Sequence, residues 1–307
     1  MSIFLTNEQR NHYTDRIPWT PYWSDCYKTN INWLLEKKSN KSKLIICYGD
    51  SWTWGDSLGN TDAGSGIDDI EFRSNNIYAN QLADDVDADF VNCAIPGIFN
   101  FWIHDRLKIL LNHDIQRLSE QYKKIVIIVT LTELGRDFTF DKYQQQFNNF
   151  YAWKNTGSVE EILVQAERFD FLKLKYVQSK LPNNCNMLVG RNFTNTFDQN
   201  LNIVDNLLSK NWTQIMFEAQ GFEHATDVRM MSFGIDEFDK FIVKEKLNSI
   251  EYKQWMSDVF LPSGKKQIDL LNKSQYNYKK ASKHPTPQGH KLWADYLLNY
   301  ITQKQYV

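Results

Sequence analysis

Four short stretches of the chain are almost continuously apolar: Leu44-Ile45-Ile46-Cys47-Tyr48, Phe90-Val91-Asn92-Cys93-Ala94, Lys124-Ile125-Val126-Ile127-Ile128-Val129 and Met187-Leu188-Val189. Most are rich in β-branched residues, and each ends at a glycine or a polar turn. Continuous rather than alternating apolar character marks strands buried on both faces, as in a parallel sheet. Between them the period changes to that of a helix. Residues 75–85 carry Ile77, Tyr78, Gln81 and Leu82 on one face. Residues 103–121 repeat Ile103, Leu107, Leu110, Leu111, Ile115 and Leu118. Residues 158–181 open with Ser158 and Glu161 at capping-box spacing, and 288–302 follow Pro287 with Leu292, Trp293, Tyr296, Leu297, Tyr300 and Ile301. Strand–helix alternation predicts βαβ units, hence an α/β fold of three layers with a central parallel sheet and helices on both faces.

Two regions stand outside this alternation. Residues 1–43 hold Trp19, Tyr22, Trp23 and Trp33 and read as a helical, aromatic extension. Residues 196–280 include Trp212, Phe217, Phe222, Phe233 and Trp255 and read as an insertion over the carboxyl edge of the sheet within a main domain of 44–307. No internal repeat or linker divides the chain.

Composition narrows the function. The 307 residues carry 35 Lys+Arg against 37 Asp+Glu, which leaves no basic excess for phosphate contacts and so argues against nucleic acid as a partner. No run approaches the about 18 apolar residues of a membrane span. The opening Met-Ser-Ile-Phe-Leu-Thr-Asn-Glu has neither a basic start nor a long apolar core, so no signal peptide is expected and the cytoplasm is the default compartment. Cys26, Cys47, Cys93 and Cys185 are scattered without a CxxC pair. Neither a disulfide framework nor a zinc site is expected, and Cys47 and Cys93 read as small buried hydrophobes. The acidic run Asp84-Asp85-Val86-Asp87-Ala88-Asp89 lacks the glycine and distal Glu of a calcium loop and reads as a solvated helix end; no metal and no cofactor is expected.

The most informative segment is Gly49-Asp50-Ser51-Trp52-Thr53-Trp54-Gly55, entered directly from the first apolar strand. In open parallel sheets ligands bind beyond the carboxyl ends of the strands. A serine there can serve as a nucleophile, or Ser51 and Asp50 can simply cap the next helix. A second segment, His284-Pro285-Thr286-Pro287-Gln288-Gly289-His290, precedes the last helix. His284, in a Pro-restricted loop, is placed to act as a general base, whereas His290 on the helix can pack or bond to backbone.

These blocks resemble those of the SGNH/GDSL hydrolase family. Gly49-Asp50-Ser51 with Gly55 matches the first block, and His284-Pro285 with Gly289-His290 matches the last, although Ala281 stands at its Asp position. Asn92-Cys93-Ala94-Ile95-Pro96-Gly97 fits the second block. Thr130-Leu131-Thr132-Glu133 occupies the third, where the family has Gly-x-Asn-Asp. The string Gly55-Asp56-Ser57-Leu58 is a decoy, since no strand precedes it.

The resemblance implies a flavodoxin-like hydrolase fold and ester cleavage, with Ser51 as nucleophile and His284 as base. Ser51, Gly97 and Thr132 stand at the oxyanion-hole positions, and Asp50, Glu133 and Arg136 support the site. Glu133 then needs a partner to keep its charge from the oxyanion, and Arg136 and Arg191 are the candidates; alternatively Thr132 and Glu133 only begin a helix, with Thr132 as its cap. Without an acid at 281, His284 works in a Ser–His dyad or takes a carboxylate from elsewhere, such as Asp258 or Asp269. Trp52, Trp54, Phe99 and Trp102 are expected to line the substrate, either a carbohydrate ester (O-acetyl among them) or a hydrophobic one, with core packing the alternative for about half of them.

Two other readings stay open. One is a catalytically weak or inactive SGNH-fold protein that binds glycans or builds an assembly such as a phage virion, compatible with the Asn-, Lys- and Ile-rich composition. The other, less favoured, is a flavodoxin-like nucleotide binder, although no glycine-rich phosphate loop is present.

Overall fold

The computed structural model describes residues 34–35, 39–55, 58, 75–95, 98, 100–132, 159–192, 197–219, 285 and 287–307. The four apolar runs form the strands β1 (Lys43–Tyr48), β2 (Asp89–Asn92), β3 (Lys124–Leu131) and β4 (Cys185–Arg191). All pair in parallel, in the order β2-β1-β3-β4. This is the flavodoxin-like order, and its direction reverses between β1 and β3, which opens a crevice beyond their carboxyl ends.

Each strand is buried on both sides because alternate residues feed two separate cores. Leu44, Ile46, Tyr48, Ile125, Ile127, Val129, Leu131, Met187 and Val189 point into one. Ile45, Cys47, Val126, Ile128 and Leu188 point into the other. Against the first face pack α3 (Asn100–Ile109), α4 (Ile115–Gln121) and α5 (Val159–Gln178). Against the second pack α2 (Tyr78–Asp85), α6 (Trp212–Glu218) and α7 (Pro287–Gln303), while the four-residue α1 (Ser51–Trp54) follows β1 directly. The expected three-layer α/β architecture is present.

The helix expected over 103–121 is interrupted by a π turn at Leu110–Asp114. Its apolar stripe explains this. From Leu110 the next deeply buried side chain is Ile115, five residues on, followed by Leu118; a π turn has that i→i+5 spacing and keeps all three on the core. Leu111, expected on the stripe, is only half-buried as a result.

Residues 197–219 run along the outer side of β4 and then onto the second face. Leu207 makes an isolated bridge to Val189, with Val189 N–H donating to the Asn206 carbonyl and Leu208 N–H to that of Val189. Trp212 and Met216 enter the second core. The remainder of the expected insertion, most of the expected extension over residues 1–43 and Ser158 of the expected capping box lie outside the described residues. Cys47, Cys93 and Cys185 are buried and free, as small hydrophobes would be.

Candidate active site

β1 delivers its last residues to the crevice and the chain turns at once into α1. Asp50 caps that helix: its Oδ1 accepts from the Trp52 N–H at 2.9 Å, and its carbonyl accepts from the Trp54 N–H at 2.9 Å. Gly55 ends the helix in the left-handed region at φ 80°, its N–H shared between the Ser51 and Trp52 carbonyls. The turn is tight enough to require glycine at its start. A Cβ on Gly49 would lie 2.1 Å from Thr53 Oγ1 and 3.1 Å from the Thr130 carbonyl oxygen. Ser51 is thereby fixed as the first residue of α1, with 6% of its surface exposed.

Neighbouring strand ends hold this turn from both sides. On the β2 side, Asn92 donates from Nδ2 to the Thr53 carbonyl at 2.9 Å, and the Ile95 N–H donates to the Gly49 carbonyl at 3.1 Å. On the other, Asn192, just beyond β4, donates from Nδ2 to Asp50 Oδ1 at 2.8 Å. Thr132, just beyond β3, is almost fully buried at 1% exposure.

Behind Thr132 lies a buried polar network that periodicity alone does not reveal. The Thr132 N–H donates to Asn100 Oδ1 at 2.9 Å, and Asn100 Nδ2 faces both the Thr132 carbonyl and Asp170 Oδ2 at 3.3 Å. One turn along α3, His104 Nε2 meets Asp170 Oδ1 at 2.9 Å. Burial would raise the Asp170 carboxyl, but the hydrogen bond with His104 and the charges of Lys173 and Arg191 hold it below the usual carboxylate range. Burial lowers the proton affinity of His104 despite Asp170. The consistent state is a neutral imidazole donating from Nε2 to a carboxylate.

Beside this network, Arg191 forms a buried ion pair with Glu167 at 2.6 Å. Glu167 also accepts from the Phe197 N–H at 2.9 Å and from Asn200 Nδ2 at 2.8 Å. Burial pushes its carboxyl up against these partners. Arg191, a candidate partner for Glu133, is thus paired with an acid the sequence reading did not single out. The one signal in the sequence was polar residues at helical spacing on otherwise apolar faces: Asn100 with His104, and Glu167 with Asp170.

The aromatic candidates divide. Trp52, expected to line the substrate, is instead a core residue, 2% exposed with its ring edge-on to Trp212 at 5.4 Å. Trp102, also expected there, is 8% exposed and stacks on Phe101 at 6.1 Å in the first core. Both turn inward because the helices carrying them are covered on the side these rings occupy. Trp54 is half-buried. Gly97, Phe99, Glu133, Arg136 and His284 lie outside the described residues, as do Ser57, Asp258, Asp269 and Ala281.

The last motif block is represented by His290, which is fully buried. Its Nδ1 accepts from the Tyr78 N–H at 3.2 Å, the backbone bond that was one of its expected roles. Its ring meets Trp212 edge-on at 4.9 Å. Trp212 therefore touches both Trp52, next to Ser51, and His290, so the first and last blocks come together on one ring. Among the described residues no group of three or more His, Cys, Asp or Glu is placed to hold a metal, and no helix is long and apolar enough to cross a membrane.

No protein-family model matches the sequence, and no curated protein does. Solved structures do resemble it. One is a phospholipase A1 from Streptomyces albidoflavus NA297, at 16% identity and TM-score 0.32, covering 83% of this chain and 98% of that one. Another is a family two carbohydrate esterase from Clostridium thermocellum, at 13% identity and TM-score 0.40, covering 88% of this chain and 66% of that one. A third is the psychrotrophic esterase EstA from a Pseudoalteromonas species, at 12% identity and TM-score 0.33, covering 86% and 99%. Similar chains thus include lipolytic proteins and carbohydrate esterases, at identities too low to speak for chemistry. The three-layer, flavodoxin-like fold stands on the strand order and the two cores themselves.

Proposed function

We propose that the protein is an SGNH-type serine hydrolase that cleaves an ester, with an O-acetyl group on a carbohydrate as the favoured substrate. The observation that carries this reading is the meeting of the first and last motif blocks: Trp52 beside Ser51 and His290 of the histidine block pack on the same Trp212. Two segments more than 200 residues apart thus meet in the core beside the turn that follows β1, and the carboxyl ends of parallel strands are where such sheets bind their ligands.

In this mechanism Ser51 Oγ attacks the ester carbonyl while His284 takes its proton. The tetrahedral oxyanion accepts hydrogen bonds from the Ser51 and Gly97 N–H groups and the Thr132 hydroxyl. Collapse expels the alcohol, which leaves with the proton held by His284, and an acyl-serine remains. Water, deprotonated by His284, then attacks the acyl carbon, and the proton returns to Ser51 as the acid departs.

A fluorophosphonate probe tests the reading. The wild-type protein is expected to be labelled on Ser51, Ser51→Ala to remain unlabelled, and His284→Ala to be labelled at least ~10²-fold more slowly. A folded wild-type protein that takes no label overturns it.

The burial of Thr132 favours a second reading, since a hydroxyl in that position is poorly placed to meet a substrate from solvent. With Ala281 in place of the acid, it supports a weak or inactive member of the same fold that binds glycans or serves as a structural part, such as a phage virion component. Turnover of an acetyl ester near the ordinary enzyme median of ~10 s⁻¹ dismisses this alternative.

A further inference from the structure

We propose that Asp170 is a positioning residue for the rim of the site, fixing the backbone of Thr132 through the side chain of Asn100. This inference deepens the ester-hydrolase reading and, in its catalytic part, rests on it.

The Asn100 amide clasps both backbone polar groups of one residue, taking the Thr132 N–H on Oδ1 at 2.9 Å and facing the Thr132 carbonyl with Nδ2 at 3.3 Å. That pairing extends the order of β3 one residue past its last strand residue, Leu131. An amide has two orientations of nearly equal shape, and only one presents oxygen to the Thr132 N–H. Asp170 selects it. An ionised carboxylate only accepts, so Oδ2 at 3.3 Å draws the NH₂ side of Asn100 and leaves its oxygen for Thr132. The second carboxylate oxygen is occupied by His104 Nε2 at 2.9 Å, which holds the group in place.

Asn100, His104, Thr132 and Asp170 are all at most 4% exposed, so water cannot replace a lost partner. The link joins two helices to a strand end, and its members are separated by up to 70 residues. Thr132 occupies the third oxyanion position in the proposed mechanism, so its backbone sets where that donor can point. A misplacement on the order of 1 Å there costs about 10²-fold in rate.

The test uses the full chain and Asp170→Asn, which keeps shape but can offer Asn100 either an acceptor or a donor. Hydrolysis of p-nitrophenyl acetate is expected to lose ~10- to 100-fold in kcat with KM within about twofold. Amide hydrogen exchange at Thr132 is expected to quicken at least tenfold while Ile127 and Val129 keep wild-type protection. Should Asp170→Asn fail to fold, His104→Leu removes the other anchor of the carboxylate and is expected to shift both readings in the same direction. Wild-type kcat together with unchanged exchange at Thr132 overturns the proposal. If the wild-type protein hydrolyses no ester, the functional reading fails by itself and the exchange at Thr132 decides the clamp: faster in the variant upholds it, unchanged removes it.

Discussion

Asn192 and Asp50 are joined by a 2.8 Å hydrogen bond from Nδ2 to Oδ1, across the carboxyl end of the strand lying between their own. The carboxylate oxygen that receives it also caps the helix that begins with Ser51. One side chain from beyond β4 therefore anchors the turn beyond β1. Asn192 is held in its turn by its own backbone, with its N–H donating to the Leu131 carbonyl and its carbonyl accepting from the Thr213 N–H and hydroxyl.

Asn192→Ala removes a buried hydrogen bond to a carboxylate oxygen. The expected loss is about 2 kcal/mol of folding stability, within the range for bonds to charged groups, together with slower probe labelling of Ser51. Urea titration and labelling kinetics read both. An unchanged midpoint would show that the bond adds nothing.

Gly49→Ala would place a methyl group 2.1 Å from Thr53 Oγ1 and 2.7 Å from Thr53 Cβ. Overpacking of this kind costs about 1–3 kcal/mol, and here the clash includes an atom that no rotamer moves away. The double variant with Thr53→Ala relieves the first contact and leaves the second. Its thermal midpoint should fall between those of wild type and Gly49→Ala, and full recovery would contradict the geometry.

Glu167→Gln strips the charge from a buried ion pair whose Arg191 is 3% exposed at the side chain. Removing one partner of such a pair costs about 3–5 kcal/mol, because the remaining charge stays buried. Chemical denaturation of the variant checks this, and a loss below about 1 kcal/mol would mean that Arg191 is satisfied without Glu167.

Acid sensitivity should begin with His104. Burial lowers its proton affinity, with Lys173 acting in the same direction and Asp170 against. An unfolded histidine takes its proton near pH 6.5, whereas the folded one takes it further down. The unfolded state therefore binds protons first, and stability, full above about pH 6.5, falls as pH drops below it. Asp170, held below the usual range, adds its loss only below about pH 4. Glu167 has the opposite sign, its contribution weakening as pH rises through the carboxylate range. Comparison of wild type with His104→Gln between pH 5 and 7 isolates the histidine, and the variant should show the flatter curve. Parallel curves would remove His104 as the cause.

Thiol reactivity offers a direct reading of the core. Burial pushes Cys47 and Cys185 up to about 12 and Cys93 higher still. At pH 8 these three should resist iodoacetamide until the protein unfolds, as mass spectrometry of labelled peptides would report. Rapid labelling of Cys47 in the folded protein would contradict the packing of β1.

The layers and the sheet could be read in advance because hydrophobic burial leaves a local trace. The runs at 44–48 and 124–129 are apolar on every residue that both cores claim, and the helix stripes repeat at their own period. The Gly49-Asp50-Ser51 turn was legible for the same reason, since cap, glycine and strand end are neighbours in sequence. Even the π turn is written in the five-residue step from Leu110 to Ile115, once burial shows which leucine to follow.

The inward turn of Trp52 and Trp102 was not legible, because an aromatic ring beside a site looks the same in sequence whether it faces substrate or core. Nor were the pairings of Asn192 with Asp50, Asn100 with Thr132, His104 with Asp170 and Glu167 with Arg191. Local sequence determined the elements, because burial period and helix caps act over a few residues. The partners of buried polar groups were decided only by tertiary structure: a hydrogen bond depends on where two distant strand ends or helix turns come to rest, and no period along the chain encodes that distance.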